Sequence, residues 1–161
     1  DLFVKVNDEI VTGSLHMGSY IKYLAQKPFL PSRMRLGKAF DFFDADYDSL
    51  VVEFPQFEDY RQTKVGELSG GEVRIAEIWL CLCSNAPFCI LDEPFSYLAP
   101  VAVEAIQRLI QREKQNKGII VSDHNYEALL EVADEVLLLS DGYVHLIKER
   151  SDLVRYGYLR G

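Results

Sequence analysis

Four sets of residues carry side chains whose type and spacing could do chemistry. Ser69 and Glu72 stand in the S-x-x-E spacing of a capping box, the serine as N-cap and the glutamate reaching back, ahead of a helical run over 73–83. Between them, Gly70 and Gly71 each cost a helix about 1 kcal/mol relative to alanine. Bare backbone N–H groups at a helix start suit an anion that must approach closely, so a plain cap and an anion cradle both remain open on these residues alone. The apolar run 88–91 stops abruptly at Asp92-Glu93-Pro94, which reads as a buried parallel strand ended by proline with two carboxylates at its C-terminal edge. Adjacent strand residues point to opposite sides, so one carboxylate can serve a metal ion while the other holds a water. An ordinary polar loop start is the plain alternative. His124 ends a second apolar run, 119–122, and Gln26 follows a strand candidate at 20–24. A lone histidine is usually bland, and His16, in a loop, and His145, in a hairpin strand, read that way.

The elements that must position these groups alternate between strands and helices. Residues 3–6 read as a strand with its turn at 7–9, and 13–18 as loop. Residues 34–45 carry Met34, Leu36, Ala39, Phe40 and Phe43 at the spacing of a short amphipathic helix, with Asp41, Asp44, Asp46 and Asp48 as a solvated acidic end. A strand or helix surrounds 50–54. Pro100 suits the first turn of a helix, whose stripe is Ala102, Ile106, Leu109, Ile110 and Glu113, and Gly118 reads as its C′ glycine. A buried strand over 119–122, a short helix over 126–132, a hairpin of 136–139 and 143–147 turning at Asp141-Gly142, and a helix around 152–156 complete the chain. The expected architecture is α/β: a mainly parallel sheet, a helical insert and a C-terminal β-hairpin.

Leu68–Glu72 and Leu91–Pro94 together strongly resemble the signature and Walker B motifs of the ABC (ATP-binding cassette) ATPases, and 23–31, Tyr-Leu-Ala-Gln-Lys-Pro-Phe-Leu-Pro, resembles their Q-loop. The resemblance spans nearly the whole chain but only the C-terminal two-thirds or so of such a domain, making 1–161 a partial nucleotide-binding domain of the P-loop NTPase-like fold. It implies a helical subdomain at about 34–83 that docks a membrane partner. It also implies ATP and Mg²⁺ as cofactors: Asp92 and Gln26 would serve the metal, Glu93 would orient or deprotonate the attacking water, Gln26 would contact metal and water, and His124 would contact the γ-phosphate. Ser69, Gly70, Gly71 and Glu72 would bind the ATP of an opposing subunit in a head-to-tail homodimer. The partners implied are that second ATPase subunit and transmembrane permease subunits, with the chain peripheral on the cytoplasmic face of the membrane. The contexts of Asp92–Ser96 and Asp123–Glu127 are similar to the compact ATPase subunits of bacterial transporters for lipopolysaccharide export or branched-chain amino acids.

Two departures qualify that expectation. No G-x-x-x-x-G-K-[ST] phosphate loop is present, since Gly37-Lys38 is followed by Ala39 and lacks the upstream glycine. The 161 residues alone are therefore expected to bind ATP poorly and not to hydrolyse it, and Asp1 in place of a methionine suggests a missing N-terminal portion. Ala99 stands where the family carries an aspartate that aids communication across the dimer. Composition narrows the classes. With 17 basic and 25 acidic residues the net charge is −8, which disfavours a nucleic-acid surface; no apolar run approaches the roughly 18 residues of a membrane span, and no signal peptide is visible. Cys81, Cys83 and Cys89 lack metal-type spacing and suit reduced, buried thiols. A soluble ABC-type ATPase acting on ribosomes or DNA, and a degenerate regulatory cassette, are the alternatives.

Overall fold

A computed structural model describes residues 4–6, 9–11 and 20–159. The expected loop over 13–18, with His16, lies outside them, as do Phe3, Asn7 and Asp8. The chain divides into two compact units, Asp1–His124 and Asn125–Gly161.

In the first unit β1 (Val4–Val6) and β2 (Glu9–Val11) form an antiparallel pair with Val4 opposite Val11. β3 (Ile21–Leu24), β4 (Phe88–Asp92) and β5 (Gly118–Ser122) form a parallel sheet with β4 in the centre. Leu24 pairs with Leu91, and Asp92 with Ser122. This register brings all three strands to their C-terminal ends at one edge, where open α/β sheets bind ligands.

The crossover from β3 to β4 is helical: α1 (Leu36–Phe43), α2 (Tyr47–Glu53), 3-10 turns at Pro55–Gln62 and Val65–Glu67, then α3 (Gly70–Leu82). Residues 50–53 are thus helix rather than strand, with Phe54 as the C-cap. Two of the four aspartates at the end of α1 have backbone duties: Asp44 closes α1 in the left-handed region, and Asp46 caps α2 by accepting from the Asp48 N–H at 3.0 Å. Every residue of α3 from Val73 to Leu82 is buried, the mark of a helix enclosed on all sides. Trp79 anchors it, edge-on to Phe54 with ring centroids 6.1 Å apart and donating from Nε1 to Ser49 Oγ at 3.2 Å. Phe40 meets Tyr47 edge-on at 5.0 Å, and the Tyr47 hydroxyl donates to Phe57 O at 2.6 Å; burial pushes that phenol up to about 12.

α4 (Pro100–Glu113) links β4 to β5 with Pro100 at its first position, and Ala105, Ile106, Leu109 and Ile110 form its buried stripe. The helix ends at Glu113, so Gly118 is not its C′ residue. Gly118 starts β5, and a Cβ there would stand 2.7 Å from the Phe88 ring; close packing against β4 explains the glycine. Nor is β5 buried: its Ile120 is 65% exposed.

The second unit holds α5 (Tyr126–Leu130), the antiparallel pair β6 (Val136–Ser140) and β7 (Tyr143–Ile147), and α6 (Arg150–Arg155). Asn125 caps α5, its Oδ1 accepting from the Ala128 N–H at 3.1 Å. Asp141 and Gly142 turn the hairpin with φ of 51° and 81°, the two left-handed residues of a type I′ turn. Asp152 holds the start of α6, its Oδ2 accepting from Lys148 N at 2.9 Å and Glu149 N at 3.3 Å.

Candidate functional site

β4 delivers its two carboxylates to different neighbours. Asp92, the last strand residue, accepts from Ser122 Oγ on β5 at 2.8 Å and from the Tyr23 hydroxyl on β3 at 3.3 Å, one bond to each carboxylate oxygen. Burial and the adjacent Asp92 together raise the Tyr23 phenol above its ordinary value. Glu93 leaves the strand with φ of 50° while its N–H still donates to Ser122 O at 2.7 Å. A left-handed glutamate is strained by an amount on the order of 1 kcal/mol, and the twist turns its carboxylate off the sheet edge. There Glu93 Oε1 meets Gln26 Nε2 at 3.1 Å and His124 Nε2 at 3.2 Å, and its Oε2 accepts from Ser96 Oγ at 3.3 Å. Two residues that sequence reasoning singled out separately, Gln26 and His124, thus converge on the Glu93 carboxylate. His124 remains open to solvent, with its side chain 86% exposed.

A cleft of about 210 Å³ beside this carboxylate is lined by Gln26, Lys27, Arg74, Glu93, Ser96 and Tyr97. Tyr97 at its rim is 92% exposed and holds φ of 66°, an unusual backbone for an aromatic residue.

The Ser69–Glu72 motif forms the capping box that its spacing predicts. Ser69 Oγ accepts from the Glu72 N–H at 3.3 Å, and Glu72 Oε2 accepts from the Ser69 N–H at 2.7 Å. Burial alone would raise the Glu72 carboxyl, but hydrogen bonds from Ser69 and Tyr60 outweigh it and hold the group below its ordinary range. A Cβ on Gly70 would meet nothing within 4 Å, whereas one on Gly71 would stand 3.3 Å from Tyr97 O, so the first turn of α3 is open at Gly70 and closely packed at Gly71. The motif makes no hydrogen bond to the Gln26–Glu93–His124 cluster among the contacts described.

Sequence reasoning passed over Tyr23, Ser122, Ser96 and, most notably, Arg74. Arg74 rises from α3 to donate to Ala25 O at 2.5 Å, to Glu93 O at 3.0 Å and to Asp92 O. Its signal in the sequence was a charge, with Glu77, inside an otherwise apolar run.

A divalent cation suits the oxygen donors of this edge. Among the described residues no group of three or more His, Cys, Asp or Glu side chains could hold a metal, and Mg²⁺ commonly needs only one or two carboxylates beside phosphates and waters. Asp92 at the strand end and the Gln26 amide oxygen are donors of that kind.

Comparisons with known proteins bear on the family and the fold. The family model described as ABC transporter matches residues 4–96. The chain is 35% identical over 98 residues to the lipopolysaccharide export system ATP-binding protein LptB of Escherichia coli (strain K12), covering 60% of this chain and 40% of that protein. LptB of Acidithiobacillus ferridurans is 40% identical over 85 residues, covering 52% and 35%. The chain thus spans about 40% or less of the length of these curated relatives. Among solved structures, an ATP-binding subunit of an ABC transporter superposes with a TM-score of 0.74 at 21% identity, over 97% of this chain and 70% of that one. That likeness carries the fold, an ABC ATPase (P-loop NTPase) architecture.

Proposed function

The chain belongs to the ABC transporter family as an ABC ATPase domain, and from that premise we propose that it supplies the metal side and the water side of an ATP-hydrolysing site that powers a membrane transporter. The observation that carries this reading is the convergence of Gln26 and His124 on Glu93 Oε1, with Asp92 alongside.

Hydrolysis requires a water placed in line with the γ-phosphate and neutralisation of the phosphate charge. Asp92, with Gln26, would hold Mg²⁺, which when bound neutralises phosphate oxygens. Glu93 is the base or orienting group for the water. Its carboxylate is tied by Gln26, His124 and Ser96 in the arrangement described, so Gln26 or His124 must turn from Oε1 toward the substrate before that oxygen can accept a proton. His124, mobile enough in its exposure to follow, then contacts the γ-phosphate. The β- and γ-phosphates need a glycine-rich cradle, and no G-x-x-x-x-G-K-[ST] segment stands in the 161 residues.

The start of α3 would meet the ATP of a second subunit through the Gly70 and Gly71 N–H groups and the Ser69 side chain, in a nucleotide-sandwiched homodimer; the Ser69 N–H itself is taken by Glu72 Oε2. We place the helical stretch 34–83 against transmembrane permease subunits, with the chain on the cytoplasmic face of the membrane. No helix among the described residues is long and apolar enough to cross a membrane. The transported substrate of LptB, lipopolysaccharide, belongs to that protein's name and suggests an export system as the first one to test here.

Steady-state MgATP hydrolysis by the complete protein tests the assignment. Glu93→Gln keeps the hydrogen-bonding shape but loses the base, and kcat should fall roughly 10²–10⁴-fold with KM little changed. Equal turnover by the native protein and this variant would sink the assignment.

A further inference from the structure

Two charged residues lie inside α3, which is buried throughout from Val73 to Leu82. Arg74 is 6% exposed and Glu77 is fully buried. Charges removed from water cost several kcal/mol each unless hydrogen bonds offset them, and a helix that served only as core would hold apolar residues at both positions. The two charges favour each other electrostatically, but their hydrogen bonds go to backbone elsewhere. Glu77 Oε1 accepts from the Phe29 N–H at 2.7 Å and the Leu30 N–H at 2.9 Å. Arg74 donates to Ala25 O, Asp92 O and Glu93 O. Arg74 Nε and Glu77 Oε2 keep no hydrogen-bond partner, so the pair leaves bonding capacity unused while satisfying five backbone groups of two other segments.

The identity of those segments gives the pair its meaning. The stretch from Ala25 to Leu30 has no helix or strand of its own, yet both its ends are fixed: Ala25 by Arg74, Phe29 and Leu30 by Glu77. Gln26 lies between the two anchors. The other segment is the end of β4, which carries Asp92 and Glu93. Position 74 and position 77 are one turn apart on the same helix face, so the loop and the strand end are referenced to one rigid element. That element begins at Ser69-Gly70-Gly71.

We infer that Arg74 and Glu77 are positioning residues: a buried clasp by which α3 holds the Gln26 loop against the Glu93 strand end and ties both to the glycine-bearing helix start. The catalytic meaning of Gln26 and Glu93 rests on the proposed function; the clasp itself does not. A displacement of the helix start would be passed to both catalytic side chains together, because the bonds run to backbone at two segments and not to side chains that could rotate away.

Hydrogen exchange and side-chain amide NMR on the ¹⁵N-labelled chain test the clasp without nucleotide. Glu77→Gln retains an oxygen that can accept both bonds; the Phe29 and Leu30 amides should remain protected and the Gln26 side-chain amide resonances should stay in place. Glu77→Leu fills the same space without an acceptor. It should speed exchange at Phe29 and Leu30 roughly tenfold or more and shift the Gln26 amide away from its native position. Unchanged protection in Glu77→Leu, or an unmoved Gln26 amide once protection is lost, overturns the inference. Should that variant not fold, Arg74→Lys replaces a fork that reaches three carbonyls with a single point. Displaced Gln26 resonances with Phe29 and Leu30 still protected would support the clasp, and unmoved ones would overturn it. The native chain decides by itself too: Phe29 and Leu30 exchanging as fast as exposed Lys27 would sink the idea. Turnover decides the proposed function and exchange decides the clasp, so failure of either is visible separately.

Discussion

α3 and the β6–β7 hairpin are both apolar, and they treat their apolar side chains in opposite ways. Ten consecutive residues of α3, Val73 to Leu82, are buried. On the hairpin, Leu137 opposite Leu146 and Leu139 opposite Val144 form one face, yet Leu139 is 73% exposed and Val144 63%. The helix is fixed by what surrounds it, with aromatic rings, a capping box and a buried clasp all bearing on it. The hairpin is fixed by its own backbone, through the ladder and the left-handed turn at Asp141-Gly142. The first region takes its stability from tertiary packing and the second from local geometry, so they should answer differently to the same kind of substitution.

The largest expected effect is in the helix. Trp79→Ala removes an indole that is 1% exposed and should cost about 3–5 kcal/mol in chemical denaturation; a loss under about 1 kcal/mol would mean that α3 is not the hub described. Ser69→Ala removes the serine's share of the capping box and should cost about 1 kcal/mol. The Glu72 carboxyl is held below its ordinary value in the folded chain, so its stabilisation is present at neutral pH and is lost as pH falls through that lowered value. Native and Glu72→Gln unfolding curves should accordingly converge in acid, and a gap that persists there would contradict the capping role. On the hairpin, Leu139→Ala should cost under about 0.5 kcal/mol, since little burial is lost. A cost comparable to that of Trp79→Ala would erase the distinction between the two regions.

The same contrast explains what could be read from the sequence. The capping box at Ser69 and Glu72, the proline at the start of α4 and the Asp141-Gly142 turn follow from rules that act within a few residues, and each is found where the spacing puts it. The strand ending at Asp92 was legible because an apolar run met two carboxylates and a proline. Residues 50–54 were ambiguous because a short apolar run fits a strand or a buried helix equally; Tyr47, Leu50 and the Asp46 cap decide for helix. Gly118 misled because a glycine after a helix usually relieves backbone strain, whereas this one makes room for the Phe88 ring. Three of the four missed residues of the site share one cause; Ser96 instead reaches Glu93 from three positions away. Tyr23 and Ser122 reach Asp92 from neighbouring strands, and Arg74 works through backbone carbonyls far away in sequence, so their roles exist only once the sheet register is set.

The pairing of Gln26 with Glu93 joins residues 67 positions apart, and a bearing on assembly follows. Closing a flexible loop of that length costs about 4 kcal/mol in chain entropy, which no single contact at the sheet edge repays. The helices between β3 and β4 shorten the loop as they form, because each helical turn replaces a flexible stretch of chain. The cluster at the strand ends is therefore expected to be completed only once the helical stretch has drawn β3 and β4 within reach.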